Sequence, residues 1–149
     1  MTRLGTLALA LVPTLALAAG LGLGLVIASP GTAAAQKKAP PGGAYKEVST
    51  LVPLPNYLPG LGTLYVDPAT LPAGPFLAYD HQGSLVSSIY MIPLKDLDAH
   101  KAFTDLKTAH EPVDHVEIVY NAGHPGVAEP HYHMIVWYVS AQRAASLAK

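Results

Sequence analysis

There is no cysteine in the 149 residues of this chain. That absence excludes disulfides, iron–sulfur ligation, thiol nucleophiles and a lipidated leader together. Other chemistry is missing too. No serine sits in a Gly-x-Ser-x-Gly elbow. No glycine-rich phosphate loop follows the N-terminal stretch, where Gly20, Gly22 and Gly24 fall in an apolar run. Charged residues make up only 13% of the chain, and the nine Lys and Arg nowhere cluster. A nucleic-acid partner is therefore not expected. Phenylalanine and tryptophan are scarce, so the eight tyrosines carry most of the aromatic content. They suit hairpin cores or a subunit interface better than a ligand box.

What is present begins with a leader-like pattern. Arg3 is followed by an uncharged run from Leu4 to Ala28, then by Thr32-Ala33-Ala34-Ala35. A basic start, an apolar stretch and a small-residue A-x-A site read as a secretory signal peptide over residues 1–35, cleaved before Gln36. The run is long for that role, and an uncleaved copy would serve as a membrane anchor. Membrane contact is expected only in that case. No Arg-Arg pair is present, so a general export route is expected. Cleavage would leave 114 residues with eight bases and ten acids. That length suffices for one modest core.

Residues 36–43, Gln-Lys-Lys-Ala-Pro-Pro-Gly-Gly, are expected to be a flexible linker to a single domain over 44–149. Residues 45–75 hold six prolines, which remove backbone donors and forbid a long helix. An extended, looping arm is expected there, with a short strand at residues 63–67. The runs 75–79 and 84–92 are rich in β-branched and aromatic residues and flank the turn Asp80-His81-Gln82-Gly83. They predict a hairpin. Ala99, Ala102, Phe103 and Leu106 have the spacing of a buried helical stripe, so a helix from Asp98 to about Lys107 is expected. Residues 113–120 and 129–139 predict a second hairpin, and Ser140 an N-cap for a short helix through Ala148. The fold class is α+β: two antiparallel hairpins, an intervening helix, a proline-rich N-terminal arm and a short C-terminal helix.

All seven histidines lie between His81 and His133. His131 and His133, two apart on a strand, point to one face. With the second hairpin centred near Pro125, partners sum to 250, and Glu117 faces His133. His115, Glu117, His131 and His133 then share a face. Direct cross-strand neighbours lie ~5 Å apart and diagonal ones ~7–8 Å. Imidazoles and a carboxylate at that spacing can hold one divalent ion. Zinc is the first choice, with iron, copper, nickel and manganese accepting the same ligands. A one-residue slip would move His115 and Glu117 to the other face. The alternative is that these histidines bond loops and strand ends. His124, in a Gly-His-Pro-Gly turn, reads by itself as a loop-ordering residue. A cupin-type site needs an acid downstream, and none follows Glu129.

Four ordered motifs carry a resemblance: Gly74 to Asp80, Tyr90 to Pro93, Pro112 to Val116, and Gly123-His124-Pro125-Gly126-Val127 with Pro130-His131-Tyr132. Their order resembles the TTHB210-like (DUF5602) domain over roughly residues 60–140. The resemblance implies an exported bacterial β-rich domain that forms homo-oligomers, with links to envelope stress and no established activity. The family pattern runs Pro-His-Tyr-Asp-x-His. This chain has His133 at the acid and Ile135 at the second histidine, so only His115, His124 and His131 match motif positions. The expected function is a non-enzymatic, self-assembling envelope protein that binds a divalent metal through the C-terminal hairpin. A small metal-dependent enzyme using the same cluster is the alternative.

Overall fold

The computed structural model describes residues 37–149. The expected leader and its cleavage site lie outside the described residues. Six strands form one antiparallel sheet in the order β1-β2-β3-β4-β6-β5. They are β1 (Lys46–Glu47), β2 (Thr63–Val66), β3 (Phe76–Tyr79), β4 (Leu85–Pro93), β5 (His115–Asn121) and β6 (His131–Trp137). Two short α-helices, α1 (Leu94–Asp98) and α2 (Ala141–Ser146), and two single 3-10 turns, Val48–Thr50 and Pro68–Thr70, complete the elements. The molecule is sheet-dominated, so the α+β expectation holds only in its coarse sense.

Both expected hairpins form. In the first, Asp80 Oδ1 accepts the backbone N–H groups of Gln82 (2.9 Å) and Ser84 (2.8 Å), and Gly83 takes a φ of 68°. This is an Asx-type turn. Strand β4 is buried from Leu85 to Met91, as expected of a strand covered on both faces. Its far edge pairs with β6, which joins the two hairpins into one sheet. The proline-rich arm is more than an extended loop, because it supplies β1 and β2 and lengthens the sheet past β3. From Lys37 onward, the stretch expected to be a flexible linker is hydrogen-bonded to the first hairpin: Lys37 O accepts from Leu85 N and Ala39 N donates to Gly83 O.

The expected helix from Asp98 to Lys107 is not there. The chain turns helical earlier, over Leu94–Asp98, immediately after Pro93. Positive φ values at His100 (54°), Asp105 (56°) and His110 (56°) then break any helical run. The apolar residues Phe103 and Leu106 are half-buried, while Ala99 and Ala102 are exposed, so no buried stripe exists. The C-terminal helix does start at Ser140, whose Oγ accepts the N–H of Arg143. Arg143 then reaches Asp80 Oδ2 at 2.7 Å, tying α2 to the first hairpin turn.

The core lies mainly on one face of the sheet. Val66, Phe76, Ile89, Met91, Ile135 and Trp137 are buried there, with Val48, Val52 and Leu54 of the arm packed against them. Each fully buried large apolar side chain contributes about 1.5–3 kcal/mol. This face also carries the odd-numbered residues of β6, and so His131 and His133.

Candidate metal centre

Strands β5 and β6 pair with His115 opposite Trp137, Val119 opposite His133 and Asn121 opposite His131. Partners therefore sum to 252 rather than 250. A two-residue shift keeps every side chain on its expected face. It also slides β5 two residues away from the histidines of β6. Glu117 lies opposite Ile135, and its Oε2 accepts Trp137 Nε1–H at 2.9 Å. His115 stacks on Trp137 at 5.9 Å between ring centroids, and its Nδ1 lies 2.9 Å from Asp114 Oδ1. Neither belongs to the histidine cluster. The expectation that His115 and Glu117 converge with His131 and His133 is corrected: all four share a face, but β5 stands two residues too far along.

The third partner comes from the connecting loop. Residues 122–130 fold back so that His124 and Val127 exchange backbone hydrogen bonds of 2.8 and 2.9 Å. Pro125 and Gly126 occupy the tight turn between them, with Gly126 at a φ of 89°. Gly123 has a φ of 123°, and a Cβ there would lie 2.6 Å from Ala128 O. Only glycine allows that close approach. The result carries the His124 ring back over the end of β6.

His124, His131 and His133 each offer a ring nitrogen within 4.8 Å of the others. Ring centroids lie 4.9 Å apart for His124 and His131, 5.6 Å for His124 and His133, and 4.8 Å for His131 and His133. His131 is fully buried, and its Nδ1 is 2.7 Å from Glu129 O. His124 Nδ1 is 3.0 Å from Pro125 O. A carbonyl oxygen only accepts, so both Nδ1 atoms carry the proton. Each ring is thereby left with its lone pair on Nε2, the arrangement that orients a histidine for a metal. His131 Nε2 and His133 Nε2 are 3.0 Å apart. Two nitrogens on a tetrahedral zinc at ~2.0–2.1 Å are ~3.3 Å apart, so holding an ion widens this contact by only ~0.3 Å.

The electrostatics favour the neutral, ligating form of His133. Burial pushes the pKa of His133 down to about 4, and the neighbouring His131 and His124 add to the shift. Among the described residues, this is the cluster of three or more His, Asp or Glu side chains close enough to hold a metal ion. No carboxylate belongs to it.

The cluster also borders a cavity. A space of about 410 Å³ lies between the sheet face and the arm. His124 and His133 form part of its wall, as do Val52, Leu64, Phe76, Ile89 and Met91. Sequence reading missed this cavity. The arm residues that roof it are scattered singly among prolines, with no period to reveal a shared face.

The comparisons with known proteins agree with the fold. The structure is similar to that of the hypothetical protein TTHB210 from Thermus thermophilus, at 46% sequence identity and a TM-score of 0.58. The match covers 64% of this chain and 93% of that one. No family model and no curated protein matches the chain.

Proposed function

The chain belongs to the TTHB210-like family, and we propose that it is an exported protein that holds a divalent transition metal through His124, His131 and His133. The observation that carries the reading is the convergence of three imidazoles, two with Nδ1 committed to main-chain carbonyls. An all-nitrogen set suits zinc, copper, nickel or iron, with zinc the first choice. Export is supported by the signal-like pattern of residues 1–35. Membership of the finer DUF5602 grouping is supported by the order of the four motifs.

Binding is favoured over catalysis by what surrounds the cluster. Three protein ligands leave a tetrahedral ion one open position, as in catalytic zinc sites. Hydrolysis there also needs a general base within hydrogen-bond reach. Glu117, the acid expected among the metal ligands, is engaged by the Trp137 indole. Among the described residues, no acid lines the adjoining cavity. Self-assembly is supported by β5, an edge strand with exposed Val116 (52%), Ile118 (67%) and Tyr120 (52%). An apolar, unpaired edge is a template for pairing with another copy.

Elemental analysis of protein purified without an affinity tag and equilibrated with zinc tests the metal. About one ion per chain is expected, falling to none in His131→Ala and staying unchanged in His100→Ala. Wild-type protein that emerges free of metal overturns the reading.

A further inference from the structure

The cavity beside the histidines has a chemistry of its own. Its wall carries apolar side chains from the sheet and the arm, including Val66, Phe76, Ile89 and Met91. Among the described residues, its only polar side chains are Asn121, His124 and His133. No lysine, arginine, aspartate or glutamate among the described residues reaches it. Its volume of about 410 Å³ falls within the ~300–1,000 Å³ of small-molecule sites. His131, fully buried, does not line it. A ligand reaching an ion in the cluster therefore arrives on the His124–His133 side.

Resting on the metal reading above, we infer that this chamber binds a medium-length alkyl carboxylate. Its chain lies in the apolar chamber and its carboxylate takes the open position on the ion. An oxygen head suits the ion, because zinc accepts carboxylate oxygen readily. The head must also be recognised by the metal, because the chamber offers no cationic side chain to an anion. The tail must be apolar, because nearly every side chain on the wall is, and each methylene removed from water favours binding. Short polar acids gain nothing from such a wall.

Decanoate, hexanoate and acetate titrated calorimetrically into the full chain test this, after zinc content has been measured on the same sample. With zinc loaded, affinity should rise from acetate to decanoate. Decanoate should bind about tenfold or more weakly once zinc is stripped, and decanol should not replace it at equal affinity. Zinc-loaded protein that ignores decanoate overturns the inference and leaves the metal site standing. Equal binding of acetate and decanoate removes the chamber from the account. Equal decanoate binding with and without zinc removes the metal from it. Failure to load zinc at all overturns both readings.

Discussion

His131 is gripped through both ring nitrogens. Nδ1 bonds the Glu129 carbonyl and Nε2 meets His133, so the side chain has little freedom to turn. Glu117 has the opposite fate. Its position looked suited to ligation, yet its carboxylate serves the Trp137 indole. Glu117→Gln should therefore leave zinc stoichiometry at about one while changing Trp137 fluorescence. Loss of zinc in that variant would return Glu117 to the ligand set. Asp80 is the other residue with a decisive setting. Burial alone would raise its carboxyl pKa, but the N–H of Ser84, the Arg143 guanidinium and the N–H of Gln82 together hold it below the usual carboxylate value. A depressed folded pKa means stability that is present above the unfolded value of ~3.9 and lost as pH falls further. Asp80→Asn should cost about 1.5–3 kcal/mol at neutral pH, from lost charge-assisted bonds. The variant should also show a flatter acid limb below about pH 4 in denaturant titrations. An unchanged acid limb would contradict this assignment.

At the scale of elements, the hairpins were legible because runs of β-branched and aromatic residues flank turn chemistry that glycine and aspartate carry out. Helix α1 was not legible. The stripe of Ala99, Ala102, Phe103 and Leu106 fits a helix by spacing, but nothing buries it as one. The β5–β6 register missed by two residues because the nine-residue loop holds its own small turn at 124–127, which spacing does not disclose. That turn places the third ligand. Gly123→Ala should distort it, since the new Cβ would meet the Ala128 carbonyl at 2.6 Å. Zinc affinity should fall about tenfold or more while far-ultraviolet circular dichroism stays native. Undiminished affinity would take the loop geometry out of the account. Strand β5 makes a separate prediction. Ile118 is 67% exposed, so Ile118→Lys should change the stability of the single chain by no more than about 0.5 kcal/mol. Light scattering should nonetheless show a smaller particle. A wild-type protein that is strictly monomeric would remove the assembly reading.

The described residues are built on one sheet whose centre, β4 against β6, joins residues 38 to 50 positions apart. Partner choice of this kind lies outside local pattern, and so did the use of the proline-rich arm as both sheet extension and roof. The site was half legible for the same reason. The pair His131 and His133 follows from strand period alone, and His124 entered through its motif. Their meeting depends on loop and sheet together. Among the described residues, no helix is long and apolar enough to cross a membrane. An ion that binds only the assembled site stabilises the entire fold by mass action, about 2.7 kcal/mol at a hundredfold excess over Kd. Saturating zinc should therefore raise the melting temperature by several degrees, and His131→Ala should abolish the rise.

The most direct measurement is X-ray absorption at the zinc edge of the loaded full-length protein. Three imidazole nitrogens at ~2.0–2.1 Å and one further light-atom ligand are predicted. Zinc with fewer than three imidazoles in its shell would contradict the assignment of His124, His131 and His133 as the metal centre.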